Sequence, residues 1–117
     1  LIPANVTLLE DCGIKYDGIT FYAISSRMIQ QMQWLGGECG LPYQTDFLIT
    51  HIPPKGILDE DTGSEILQRT ILEHQPKHHL FGHIHSKGGL CEEKWSTMFG
   101  NVSTFQALCK TDGQFEL

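Results

Sequence analysis

The stretch from Asp46 to His85 restricts the folds open to this chain more than any other part of it. It begins with a compact apolar run, Asp46-Phe47-Leu48-Ile49-Thr50-His51, of the kind that forms a strand buried on both faces. Pro53-Pro54 must stop that strand, because neither residue can donate to a sheet ladder. A polar loop from Lys55 to Gly63 follows, and Thr62-x-x-Glu65 reads as a capping box. The helix predicted over Glu65–Gln75 carries Leu67 and Ile71 four residues apart, and Pro76 closes it. His78-His79-Leu80-Phe81 is a second short strand, broken by Gly82. Strand, loop, helix, strand is the pattern of a βαβ unit. If its strands lie parallel, His51 and Gly82-His83-Ile84-His85 emerge at one sheet edge. Open α/β sheets usually place their sites at that edge.

The flanks are read more simply. Val6–Leu9 and Gly13–Tyr16 are predicted strands, and Asp17-Gly18 is a strong hairpin signal. It leads into Ile19–Ile24, so the opening third is expected to be a β-meander. Met28, Met32 and Leu35 fall on one face of a predicted helix over Arg27–Leu35, which Gly36-Gly37 ends. Beyond Lys87-Gly88-Gly89, Lys94–Phe99 and Thr104–Lys110 read as strands, with a last hairpin at Asp112-Gly113. The expected fold class is α/β.

With 117 residues the chain suffices for one small domain. Eight basic against fourteen acidic residues give a formal charge of −6. No basic patch is visible, so nucleic acid is not an expected partner. No apolar run approaches the roughly 18–20 residues of a membrane span. The first residue is Leu1 rather than Met, which reads as an internal start. The cysteines Cys12, Cys39, Cys91 and Cys109 form no Cys-x-x-Cys pair, which argues against a zinc ribbon. Their wide spacing favours free thiols in a reducing compartment, hence an intracellular, cytoplasmic protein.

Histidine is the commonest metal ligand, through a neutral ring nitrogen. A lone His beside two prolines is ordinarily a loop residue, and His-x-His alone is a weak motif. Together, at the ends of two apolar strands that bracket one helix, His51, His83 and His85 read as metal ligands. An extended backbone would put His83 and His85 on one side. A turn would splay them around two neighbouring ions. His74, His78 and His79 are read as structural, with alternation turning one of His78 and His79 outward.

Thr50-His51-Ile52-Pro53-Pro54 and Gly82-His83-Ile84-His85 resemble two late motifs of the calcineurin-like metallophosphoesterase superfamily. Phe47 to Ser86 carries the likeness, which is closest to small single-domain members. The resemblance implies a four-layer αββα sandwich with a dinuclear site of manganese, iron or zinc. His51 and His83 would bind one ion and His85 the other. Such a pair activates a metal-bridging hydroxide for attack on a phosphomonoester or phosphodiester, either a small molecule or a nucleotide.

The family's early Asp-x-His, Gly-Asp-x-x-Asp and Gly-Asn-His motifs do not occur in this sequence. Three neutral imidazoles offset none of the charge of two divalent ions. Residues 1–117 are therefore expected to be the C-terminal half of the domain and inactive alone, with the N-terminal half missing or on another chain. A half-sandwich would also expose an apolar sheet face. Two alternatives stay open: a non-catalytic binding or scaffold module of degenerate fold, and a single zinc held by His51, His83 and His85. Asp59, Glu60 and Asp61 are read as a solvated cluster rather than replacement carboxylates, with Asp59 bracing its loop.

Overall fold

Asp17 and Gly18 take φ of 51° and 79°, the left-handed pair that a two-residue hairpin turn requires. In the computed structural model, which describes residues 3–37, 39–42 and 44–103, they join β1 (Cys12–Tyr16) to β2 (Ile19–Ala23) in antiparallel register. α1 (Ser26–Leu35) follows, capped by the Ser25 hydroxyl, which accepts the Met28 N–H at 3.0 Å. Gly36, at φ 74°, ends it. The chain then runs through β3 (Phe47–Ile49), α2 (Glu65–His74) and β4 (His78–Phe81). A 3-10 turn at His85–Lys87 precedes β5 (Cys91–Lys94) and β6 (Thr97–Asn101).

These elements form a small α/β domain with one six-stranded mixed sheet, ordered β1-β2-β3-β4-β6-β5. The four inner strands are parallel, and the edge strands β1 and β5 are antiparallel to their neighbours. The βαβ unit therefore forms as predicted. The meander does not: β2 leaves its hairpin to pair in parallel with β3, and Val6–Leu9 is not a strand.

Both crossovers step the same way across the sheet, from β2 to β3 and from β3 to β4. Right-handed connections then put α1 and α2 on the same face. The register rows show which side chains meet them. Tyr22, Leu48, His79 and Phe99 are lateral neighbours and share that face, as do Phe81 and Asn101. Leu48, Phe81 and Phe99 pack there with Ile29, Ile66, Leu67 and Ile71. In α1 the inward residues are Ile29, Met28 and Met32, whereas Leu35 is 77% exposed rather than part of the apolar face.

The opposite face carries the alternate residues Phe21, Phe47, His78 and Met98, with Ile49 and Leu80 in the next row. None of the apolar residues among them belongs to the helix-side core cluster. Leu48 and Phe47 are buried on the two faces of β3, but Ile49 is 36% exposed, so the expected burial on both faces holds at the start of the strand and fails at its end.

Three local expectations change. The cap of α2 is Ser64, whose hydroxyl accepts the Leu67 N–H at 3.1 Å; Thr62 instead donates to the Asp59 carbonyl at 2.7 Å. Lys94–Phe99 is not one strand, because Trp95 and Ser96 (φ 54° and 64°) turn the β5–β6 hairpin. Cys12 is an exposed free thiol and Cys39 lies in the core, but Cys91 is disulfide-bonded, unlike the free thiols expected. The readings for Thr104–Lys110 and Asp112-Gly113 lie outside the described residues. Among those described, no helix is long and apolar enough to cross a membrane.

Candidate functional site

The ladder between β3 and β4 runs past the formal strand ends. Thr50 N–H donates to the Leu80 carbonyl at 3.1 Å, and Gly82 N–H donates to the His51 carbonyl at 2.9 Å. This ties the main chain of His51 to that of Gly82 at the carboxyl edge of two parallel strands. The ring of His51 consequently meets that of His83, with centroids 5.1 Å apart and planes inclined by 65°. Both residues are exposed.

The backbone at His83 is unusual. Ile84 N–H donates to the Gly82 carbonyl at 2.8 Å, closing a three-residue turn about His83. His83 has φ 72°, which makes this a γ-turn of the rare, strained, positive-φ kind. Such conformers cost on the order of 1–3 kcal/mol, persist only where the surroundings over-determine them, and cluster at functional sites. The next residues enter the 3-10 turn, where Gly88 N–H donates to the His85 carbonyl at 3.0 Å. A turn, not an extended strand, therefore separates His83 from His85.

His85 is exposed as well. Among the described residues, no three His, Cys, Asp or Glu side chains group closely enough to hold one metal ion. The single-zinc arrangement of His51, His83 and His85 is thus not formed. The structure brings two of the three rings together and leaves the third on the far side of a turn.

The acidic loop lies beside this edge. The Ser86 hydroxyl donates to the Glu60 carboxylate, which joins the loop to the flank of His85. Asp59 is buried and faces inward, accepting the N–H groups of Gly56 and Gly63 at 2.9 Å each. Burial alone would push its carboxyl up, but these main-chain donors outweigh it and hold the group below the usual carboxylate range. Asp59 braces the loop. Beside His51 opens a cleft of about 280 Å³, lined by Glu10, Ile24, Ser25, Ser26, Thr50 and His51 among others.

Neither His78 nor His79 turns to solvent. His79 is fully buried under the helices, and His78, 9% exposed on the opposite face, stacks on Phe47 at 4.6 Å. Sequence reasoning included Thr50 in its strand-end motif without giving it a role, and it missed Asn101, a buried polar residue at this edge that carried no local signal.

No protein-family model matches the chain. The UPF0046 protein K07C11.7 of Caenorhabditis elegans is 37% identical over 101 aligned residues, 76% of this chain and 35% of the relative. UPF0046 protein T07D4.2 of the same organism is 31% identical over 113, covering 84% of this chain and 28% of the relative. The probable rhamnogalacturonate lyase C of Emericella nidulans is 34% identical over 79, which is 59% of this chain and 8% of that protein. The chain thus spans about a third or less of the curated relatives it matches. Neither UPF0046 name states an activity.

Proposed function

We propose that this chain is the histidine-bearing, C-terminal half of a calcineurin-like metallophosphoesterase domain that hydrolyses a phosphomonoester or phosphodiester. The observation that carries the reading is the His51–His83 pair. Two exposed rings stand 5.1 Å apart at the carboxyl edge of adjacent parallel strands, and one of them rides on a strained positive-φ turn. That spacing suits two imidazole nitrogens sharing one divalent ion, with His85 beyond the turn serving a second.

The residues fit the imidazole side of a two-ion site and lack its carboxylates, which would come from the missing half. Divalent ions held there by His51, His83 and His85 would supply the charge needed to activate water and clamp phosphate oxygens. The chain's own part is to hold His51, His83 and His85 at fixed directions. The apolar face opposite the helices supports a half-sandwich, as does the short share of the relatives that the chain covers. The lyase match covers too little of that protein to bring polysaccharide cleavage here.

A non-catalytic module is the second reading, favoured by the lack of any three-residue ligating group among the described residues. The deciding experiment is hydrolysis of a chromogenic phosphodiester and monoester, with manganese, iron or zinc, by this chain joined to an N-terminal half of the same family. The expected result is metal-stimulated turnover that His51→Ala and His83→Ala each reduce by at least about 100-fold, beyond what loss of an outer partner gives. No turnover with any divalent ion would sink the enzyme reading in favour of the module.

A further inference from the structure

We infer that Asn101 is a positioning residue for the candidate ligands His83 and His85: it grips, from inside the protein, the carbonyl that lies between them. This rests on the metal-binding reading of those histidines. Asn101 is the last residue of β6, beside Phe81 of β4, and it is fully buried. Its side-chain Nδ2 donates to the Ile84 carbonyl at 2.8 Å. Its Oδ1 accepts the Ser103 N–H at 2.9 Å and the Ser103 hydroxyl at 2.6 Å.

The orientation of the carboxamide follows from chemistry. The Ser103 N–H can only donate, so the atom facing it must be the oxygen. The nitrogen then faces Ile84, whose carbonyl can only accept. The two ends agree, and the amide cannot flip without losing both contacts. The main chain of Asn101 is fixed as well, donating to Leu90 at 3.0 Å and accepting from Gly89 at 2.9 Å.

A buried position in line with Phe81 on the core face would ordinarily take an aliphatic residue. A polar group there is costly unless fully bonded. Asn101 is bonded, and its donor goes to the residue that closes the strained γ-turn. The Ile84 carbonyl also accepts the Lys87 N–H at 3.1 Å, so it links the γ-turn to the 3-10 turn holding His85. Asn101 therefore touches neither imidazole, yet it fixes the peptide on which the angle between them depends.

The test compares Asn101→Ala, Ser103→Ala and Ile71→Val, a core variant that loosens the fold away from this edge. Imidazole nitrogen resonances of the metal-free chain are recorded for each. The positioning role predicts that the His83 and His85 signals move or broaden in Asn101→Ala, and to a smaller degree in Ser103→Ala, but hold in Ile71→Val. Equal changes in Asn101→Ala and Ile71→Val overturn it. The Ser103 hydroxyl also lies 3.3 Å from the Ile84 carbonyl, so if Asn101→Ala does not fold, Asn101→Asp, which keeps an oxygen facing Ser103 and loses the donor to Ile84, decides on the same criterion. Cobalt titration is the second arm, with an expected loss of affinity of about 10–100-fold in Asn101→Ala, the range for outer-shell partners. Wild-type affinity in that variant also overturns the proposal. Absence of cobalt binding in the wild type would instead discard the metal reading, while the resonances still judge Asn101.

Discussion

His79 is a histidine built to stay neutral. The Thr50 hydroxyl has one proton and points it at the Ile52 carbonyl, 2.7 Å away. At 2.8 Å it must therefore accept from His79 Nε2, which fixes the Nε2–H tautomer. Nδ1 is left buried, with no hydrogen-bond partner among the described residues. Protonating it would place an unpaired charge in the core, and burial lowers the ring's pKa to about 3. In the unfolded chain the same group titrates near about 6.5. The unfolded state therefore binds more protons between these values. The stability this neutral ring contributes is complete above about 6.5 and is lost as pH falls, by about 2 kcal/mol at pH 5. The melting temperature is expected to drop between pH 7 and pH 5, and His79→Gln should flatten that slope. An unchanged slope in the variant would show that another group controls it. The sequence reading of His79 as structural agrees with this burial. It could not supply the tautomer, because Thr50 and His79 meet only once β3 and β4 are paired.

Among the elements, the loop between β3 and α2 depends most on a single residue. A methyl group on Gly63 would stand 2.4 Å from the Pro54 carbonyl oxygen and 2.7 Å from the Asp59 carboxylate. The first is backbone, held by Ser64 N–H donating to Pro53 at 3.0 Å and Lys55 N–H donating to Ser64 at 2.9 Å, so it cannot easily yield. Gly63→Ala is expected to destabilise the protein by about 2 kcal/mol or more in urea unfolding. Gly40→Ala, where an added Cβ meets nothing within 4 Å, is the control expected to stay near neutral. Equal effects would mean that the loop relaxes freely.

The same loop shows why element ends were harder to read than the elements. Ser64 and Thr62 both suit a helix cap, and tertiary contacts chose between them: Thr62 is engaged by the Asp59 carbonyl, which leaves Ser64 at the cap. The Trp95-Ser96 turn was missed because neither residue favours positive φ. It is supported instead by packing, since Trp95 lies edge-on to Phe99 at 6.0 Å against the core.

At the scale of the whole molecule, the βαβ periodicity was the most legible feature. It set two strands parallel and brought His51 to His83. The order of the outer strands was not legible, because β6 enters between β4 and β5 and nothing local specifies which neighbour it takes. The two-faced sheet leads to a further expectation. Phe21, Ile49, Leu80 and Met98 share the face opposite the helices, so the folded chain should enhance the fluorescence of an apolar dye. Ile49→Lys should reduce that enhancement without a matching loss in melting temperature. A native chain that leaves the dye dark would mean this face is not available to bind it.

The bond from Gly82 to the His51 carbonyl has one more consequence. Each ring sits just beyond the end of a different strand, and this contact is where the two segments are pinned at the edge. Sliding of one strand along the other separates the rings. The 5.1 Å between the rings is in effect a vernier for interstrand shear. A substitution anywhere along β3 or β4 that shifts their stagger should be read out there first, as a change in the gap between two imidazoles.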